Sequence, residues 1–286
     1  MTLKVARHGS PGPDDEGYAQ DLGEGLADTI QMLEQSPRMF DIAMDEALVH
    51  VQARLAVDPE ASGIDTWEAV VAAMQVGSAL FASTAEAGAT VECRINHEMR
   101  TIPTAGSQHF ANAGNWLTAF WFAVVCRDQN RMTQLCHVPL GLLRASGSEY
   151  DEYIYHWVDA LQSYWLERPG LAEKLTAAIE ASHPEVATIA PRELLQKVLY
   201  QPINLFYHFL RKDREGFNQA LVEALECHKS YWMADEKREG SVAGYLALGP
   251  LAIACLAYDA GRPIEVESDY IPKHLLSRAW LGEFPT

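Results

Sequence analysis

The segment GNWLTAFWFAVVCRD, residues 114–128, decides the fold of this chain. Trp116, Phe120 and Val124 recur at helical spacing along one face, and a second apolar set occupies a neighbouring face: Leu117, Trp121 and Val125. A helix that is apolar on both faces must be covered on both sides, which places it among other helices. The segment therefore predicts the centre of a helical core.

Two further stretches continue this pattern, YDEYIYHWVDALQSYWLERPG at residues 150–170 and PINLFYHFLRKDREGFNQALVEALECHKSYW at residues 202–232. Charged turns at Arg127-Asp128, Glu167-Pro169 and Arg211-Asp213 are separated by roughly 40 and 44 residues, a spacing typical of two-helix solenoid repeats. No strict repeat signature accompanies this spacing. The sequence thus predicts an all-α protein, built as an irregular helical array or an α-solenoid of helix pairs.

Between Thr90 and Pro103 the periodicity changes. Val91, Cys93 and Ile95 alternate with polar residues, and a period of two is typical of a β-strand. One such segment cannot form a stable sheet by itself. We therefore expect at most a small β element near residues 90–103, as a short strand or hairpin.

The N-terminal sequence HGSPGPDDEG, residues 8–17, is rich in Gly, Pro and Asp. We expect residues 1–17 to form a flexible lead-in and residues 18–286 to form a single helical domain. Ser36-Pro37 predicts the start of a helix that ends at Asp58-Pro59. Residues 65–68, Asp-Thr-Trp-Glu, have capping-box spacing and predict the start of the next helix at Asp65.

Membrane insertion and secretion are not expected from this sequence. The longest nearly unbroken apolar run, Leu117–Cys126, has ten residues, whereas a helix needs about 20 to cross a bilayer. The N-terminus lacks the apolar stretch of a secretory signal. The five cysteines are odd in number and widely spaced, which favours reduced core thiols over disulfides. We predict a cytoplasmic protein.

The chain has 39 acidic and 22 basic residues, a net charge of −17. Residues 1–60 hold 12 acids and 4 bases, residues 61–146 hold 6 and 5, and residues 147–286 hold 21 and 13. This charge argues against nucleic-acid binding, because phosphate backbones attract lysine and arginine. It favours association with a basic protein. The alternative is that the net charge only keeps the protein soluble.

Catalytic motifs are weak. Arg7-His8-Gly9 is similar to the phosphate-binding turn of histidine phosphatases, but that chemistry needs an α/β sheet to present further groups, and the remaining sequence predicts helices. No histidine pair has the spacing of a zinc site, and no Walker loop, dinucleotide fingerprint or nucleophile elbow occurs. We predict no catalytic, metal or cofactor-binding residue.

The chain resembles immunity protein family 49, from bacterial polymorphic toxin systems. The resemblance extends from about residue 7 to the C-terminus and rests on these stretches: DTWEAVVAAMQVGSALF, GNWLTAFWFAVVCRDQNRMTQLC, YDEYIYHWVDALQSYW, INLFYHFLRKDREGFNQALVEAL, LGPLAIACLAYDAG and HLLSRAWLGEF. It implies a largely α-helical protein that binds a cognate toxin domain and blocks it. It transfers no catalytic residues onto this sequence.

These observations predict an inhibitor that occludes a toxin domain, sterically and electrostatically, by tight one-to-one binding. A basic nuclease is a plausible target, since nucleases are commonly basic. The candidate toxin-binding residues lie on and before one helix, on its less apolar side: Glu149, Asp151, Glu152, Tyr155 and Asp159. The alternatives are a small-molecule enzyme of histidine-phosphatase type that uses His8, and a helical scaffold or adaptor.

Overall fold

The computed structural model describes residues 3–85 and 88–286. They form two compact units. The first unit contains the N-terminal residues as far as Ser10 together with Glu149–Ala279. The second contains Pro11–Ser148 and Trp280–Thr286.

The α-helices, in chain order, are α1 (Asp15–Met32), α2 (Phe40–Val57), α3 (Ile64–Ala85), α4 (Ala113–Val125), α5 (Gln129–Cys136), α6 (Leu140–Arg144), α7 (Glu152–Trp165), α8 (Leu171–Ala181), α9 (Arg192–Leu194), α10 (Gln201–Leu210), α11 (Arg214–Trp232), α12 (Glu236–Glu239), α13 (Leu248–Asp259) and α14 (Lys273–Leu276). The strands are β1 (Leu3–Lys4), β2 (Thr90–Ile95), β3 (Glu98–Pro103) and β4 (Val266–Glu267). Turns of 3₁₀-helix occupy Pro37–Met39 and Val242–Tyr245, and a π-helical turn occupies Leu195–Leu199. The predicted all-α fold is confirmed.

The contact between α3 and α4 forms the core of the second unit. Trp116 and Phe120 on α4 are fully buried, as its two apolar faces predict. At Gly77 of α3, an added Cβ would lie 2.8 Å from the Cβ of Ala119, so only glycine permits this close approach. In sequence order, α1 packs on α2, α2 on α3, and α5 on α4.

The small β element is an antiparallel hairpin of β2 and β3, with Cys93 opposite Arg100. Its turn residues, Asn96 and His97, both have positive φ (52° and 66°), as a type I′ turn requires. Cys93, Ile95 and Ile102 are buried, consistent with the alternation along β2. The β element predicted near residues 90–103 is therefore confirmed as a hairpin.

The predicted boundaries of α2 are close to the observed ones, but the predicted cap of α3 is wrong. The helix begins at Ile64, which places Asp65 in its first turn. Asp58 provides the polar contacts instead: its carboxylate accepts from the Gly63 N–H and the Thr66 hydroxyl, both at 2.8 Å. The loop between α2 and α3 folds back so that Asp58 reaches the start of α3. The capping-box spacing of residues 65–68 does not describe a contact of this kind.

The first unit contains helix hairpins and a two-residue parallel sheet. Helix α7 packs on α8, and α10 packs on α11 and α13. Strand β1 pairs with β4, with Leu3 opposite Val266. This pairing places part of the predicted lead-in in a strand, and α1 begins at Asp15, inside residues 1–17. The flexibility of the lead-in and the single domain over 18–286 stay predictions, because compactness does not test motion or independent folding.

One polar residue of α11, Asn218, is buried. Its Oδ1 accepts from the Glu265 N–H at 2.7 Å, and its Nδ2 donates to the Arg214 and Pro263 carbonyls. The side chain thereby joins α11 to the segment before β4, a contact between residues far apart in sequence.

The segment Val242–Asp259 is long and apolar enough, by length and composition, to cross a membrane, with a mean hydropathy of 1.5. In this structure 56% of the segment is buried, and α13 packs against α10 and α11. Core helices of water-soluble proteins share these properties. The absence of a membrane partner and the cytoplasmic location both stay predictions.

The three charged turns noted in the sequence have one geometry. Arg127, Glu167 and Lys212 have φ of 56°, 52° and 57°. In each turn the following N–H bonds to a carbonyl five residues earlier, as in Asp128 to Ala123 and Asp213 to His208, which defines a Schellman motif. Glycine usually occupies the left-handed position, so each of these residues carries backbone strain.

Lys212→Gly should therefore stabilise the protein by about 0.5–1 kcal/mol, since Lys212 is exposed and glycine relieves the left-handed strain. Urea unfolding followed by circular dichroism measures the change. The matched control is Gln219→Gly, an exposed position inside α11, which should destabilise by about 1 kcal/mol. Equal losses in both variants would contradict the strain argument.

Candidate functional site

The five predicted toxin-binding residues are near one another in sequence but differ in exposure. Glu149 and Glu152 are exposed, whereas Asp151 and Tyr155 are buried. Asp159 is partly buried and forms an ion pair with Lys174 at 2.8 Å. A carboxylate that already has an internal partner is a poor contact for an external protein. Of the five, Glu149 and Glu152 are the two with exposed side chains.

Asp151 has a structural role at the start of α7. Its carboxylate accepts the backbone N–H groups of Thr188, Ile189 and Ala190 at 2.7, 3.0 and 2.8 Å. Burial alone would raise the pKa of this carboxyl, but these three hydrogen bonds outweigh burial and hold its pKa below the ordinary value. Asp151 therefore fixes the loop after α8. The toxin-binding role of the group stays a prediction.

The Arg7-His8-Gly9 motif is packed into the first unit. His8 is 4% exposed, and its Nδ1 lies 2.7 Å from the hydroxyl of Tyr270. Its ring stacks on Tyr245, with centroids 5.3 Å apart, and Arg7 lies over the same tyrosine. A phosphorylated histidine needs an open pocket with phosphate-binding groups, so this packing favours a structural role for His8.

A second buried histidine lies beside this motif. His228 contacts Tyr270 edge-on at 5.0 Å, and its Nε2 lies 2.9 Å from the carbonyl of Gly244. Burial lowers the pKa of His228 to about 4; the Gly244 hydrogen bond opposes this change and His8 reinforces it. Burial also lowers the pKa of His8, with the Arg7 cation adding to the effect. Burial thus favours the neutral form of both histidines.

Within the described residues, no group of three or more His, Cys, Asp or Glu side chains converges as metal ligands would. The five cysteines are free thiols, of which Cys93, Cys126, Cys136 and Cys255 are buried. Burial raises the pKa of the Cys227 thiol, and neighbouring glutamates contribute. These arrangements suit packing rather than thiolate or metal chemistry.

A strongly acidic surface lies on α1. Residues 8–37 contain seven acidic residues and no lysine or arginine. Three of these carboxylates, Asp21, Glu24 and Asp28, are exposed, and no described lysine or arginine lies within ion-pair distance of them. Tyr18 and Met32, on the same helix, are 46% and 42% exposed. We call the exposed side chains Tyr18, Asp21, Glu24, Asp28 and Met32 the α1 surface.

A groove of about 390 Å³ lies between α1, α2 and α3. Arg54 is the one cation among its described lining residues. Four carboxylates also line it: Glu16, Glu24, Asp65 and Glu68. Arg54 donates to Glu16 at 2.6 Å and lies 3.9 Å from Asp65. Among the described contacts, neither Glu24 nor Glu68 forms an ion pair with Arg54. His50 also lines the groove, and burial followed by the Arg54 charge lowers its pKa to about 4. The groove extends the negative potential of the α1 surface.

Comparison with known families identifies the chain. The sequence model described as Immunity protein 49 matches residues 58–275, well over half of the chain. The chain belongs to the immunity protein 49 family. No curated protein and no solved structure matches it. The family resemblance seen in the sequence is thus confirmed, and this member is an immunity protein.

Helices α1 and α2 precede the matched residues, so membership of the immunity protein 49 family does not assign a role to the α1 surface. Sequence reasoning missed this surface, because the glycines at 17, 23 and 25 and the few apolar residues weaken the helical pattern of this segment, although the predicted helical domain includes residues 18–286. The available signal was the run of seven acids without a cation. The acid count over residues 1–60 shows that this part of the chain is acidic, but it does not place the acids on a helix.

The buried histidines predict an acid-sensitive fold. His228 has a folded pKa of about 4, against an ordinary value near 6.5, so its stabilising contribution is complete above pH 6.5 and is lost as the pH falls towards 4. His228→Gln keeps a donor near Gly244 and should reduce this loss by on the order of 3 kcal/mol. Urea unfolding between pH 7.5 and about 4.5 gives the dependence.

The control for this experiment is His183→Gln, which changes an exposed histidine of the same unit. It should retain the acid sensitivity of the wild-type protein. Because the readout is the slope of unfolding free energy against pH, a general loss of stability in His228→Gln does not affect it. Parallel slopes for wild type and His228→Gln would refute the assignment.

Proposed function

We propose that this immunity protein neutralises a cognate bacterial toxin domain that is basic, by forming a one-to-one complex that covers the toxin's active surface. The observation that carries the proposal is the family match over residues 58–275. The charge of −17 and the α1 surface support the basic character of the partner. A nuclease is the favoured class, since nucleases carry cationic surfaces for phosphates.

Occlusion explains how such a protein inhibits without chemistry of its own. Carboxylates on the α1 surface would meet the cations with which the toxin binds its substrate. Complementary fields of this kind raise association rates and select the partner, while buried aromatic or apolar anchors supply most of the affinity. Tyr18 and Met32 are exposed apolar side chains beside the carboxylates and would serve as anchors.

Glu149 and Glu152 remain a second proposed contact for the toxin, on the first unit. They are exposed and lie at the start of α7. The proposal for Asp151, Tyr155 and Asp159 is weaker, because each is buried or paired. Separate variants of the two surfaces decide between them.

The first experiment tests partner binding itself. The tagged protein is used to capture partners from lysate of its native host at low and moderate salt, and the purified toxin domain is then titrated calorimetrically. We expect one basic partner at one-to-one stoichiometry, whose toxic activity is blocked in the complex. A folded sample that recovers and inhibits no toxin domain would refute the proposed function and favour the scaffold or enzyme alternatives.

The α1 surface predicts a kinetic effect. The triple variant Asp21→Asn, Glu24→Gln, Asp28→Asn should slow association with the toxin by about tenfold or more at low salt, because it removes unpaired carboxylates. Stopped-flow or surface binding measurements at several salt concentrations give the rate. The salt dependence of the association rate should also decrease.

Two matched variants locate the effect. Glu173→Gln, Glu180→Gln, Glu185→Gln removes the same number of charges from exposed positions of the first unit and should change the association rate by less than about threefold. Glu149→Gln, Glu152→Gln tests the surface predicted from the sequence. If the control triple variant slows association as much as the α1 variant, net charge rather than the α1 surface governs the rate.

A further inference from the structure

The outer edge of β2, in the second unit, borders a groove of about 760 Å³. Its other walls come from α3, from α5 with the turn that follows it, and from Thr286; they include Phe81, Ala82, Leu135 and Val138. Four consecutive strand residues, 91–94, line the groove. Because side chains alternate along a strand, consecutive residues line one cavity only when the backbone edge faces it. We call this cavity the β2 groove.

The hydrogen-bond pattern of the hairpin shows which backbone groups face the groove. The Thr104 N–H donates to the Ala89 carbonyl at 3.1 Å, so this pair is bonded across the hairpin. Paired residues alternate between bonded and non-bonded positions in an antiparallel ladder. The N–H and C=O groups of Glu92 and Arg94 therefore point away from β3.

Two further contacts agree with this alternation of bonded and outward-facing residues. Arg131 Nη2 donates to the Arg94 carbonyl at 3.3 Å from outside the hairpin. On the opposite strand, the Thr101 N–H donates to Glu34 at 3.1 Å, away from β2, and Thr101 is the partner of Glu92 in the register. These contacts show the outward direction at Arg94 and, through its partner Thr101, at Glu92.

Three backbone groups at the groove have no hydrogen-bond partner within residues 3–85 and 88–286: the N–H and C=O of Glu92 and the N–H of Arg94. Groups of this kind on an edge strand are a template for another extended chain, which offers donors and acceptors at the same spacing. The groove volume is within the range of roughly 300–1,000 Å³ that binding pockets occupy. Within the described residues, the edge therefore keeps these three free backbone groups and has room beside it.

We propose that the β2 groove receives an extended segment of the cognate toxin, which pairs with β2 as a third strand. This inference rests on the proposed function. The edge lies between α3 and α5, so a second copy would have to bring its own α3 and α5 against these helices to pair there, whereas a single extended segment carries no such walls. Glu92 is exposed and has no described lysine or arginine at ion-pair distance, so a basic residue of the segment complements it, while an acidic residue of the segment complements Arg94, which lines the same groove.

The test uses the purified, catalytically inactive toxin domain and the full-length immunity protein. Glu92→Pro removes the outward N–H without removing a bond between β2 and β3, and it should raise Kd by at least about tenfold. Thr101→Pro is the matched control, at the equivalent outward position on the opposite edge, and should keep Kd within about threefold. Circular dichroism establishes that each variant is folded.

A second pair of variants does not touch the strand. Gln134→Trp places a large side chain in the groove from an exposed position on α5, and should also raise Kd by about tenfold or more. Gln219→Trp, exposed on α11 of the first unit and outside the groove, is its control and should leave Kd within about threefold. Hydrogen exchange of the Glu92 and Arg94 amides should slow when the toxin is bound.

Each outcome has one meaning. Reduced binding in Glu92→Pro and Gln134→Trp, with protected edge amides, supports strand addition. A wild-type complex that both variants form equally well, or that leaves the edge amides unprotected, overturns strand addition while the proposed function stands. Self-association of the wild type that Glu92→Pro abolishes assigns the edge to a second copy and overturns the proposal. Failure of the wild type to bind the toxin overturns the proposed function and this inference with it.

Discussion

The second unit depends on the close contact between α3 and α4. Helix α4 is apolar on two faces, so its burial contributes a large hydrophobic free energy only if other helices cover both of them. Gly77 permits α3 to approach Ala119 closely, and α3 in turn supports α2 on one side and β2 on another. Helix α3 thus forms one wall of the β2 groove and also supports α2, on which α1 packs.

Helix α1 illustrates how tertiary packing overrides local preference. Its glycines and acidic residues make it a weak helix in isolation, and it forms here because Ala19, Leu26 and Ile30 are buried against α2. The same packing directs its carboxylates outward. A segment that would be an acidic tail in the unfolded chain therefore becomes an ordered surface with defined charge positions.

The two proposed contacts of the second unit involve different physics. Carboxylates on α1 act over roughly a Debye length, about 8–10 Å at ordinary salt, and influence the rate of encounter. Backbone groups on the edge of β2 act only at hydrogen-bond distance, and they require an extended partner in register. Long-range attraction followed by directional pairing accounts for both rapid association and selectivity without any catalytic group.

The sequence by itself determined the helical class, because apolar residues at helical spacing require burial wherever they occur. It also determined the hairpin near residues 90–103, through local alternation, and the family, through the matching stretches of residues 58–275. The capping role of Asp58, the burial of Asn218 and Asp151, and the packing of His8 against Tyr270 were decided by tertiary structure. Each depends on a hydrogen bond or ring contact whose partner no local pattern specifies. The surroundings of the β2 edge are of the same kind, since α3 and α5 reach it only through long-range packing.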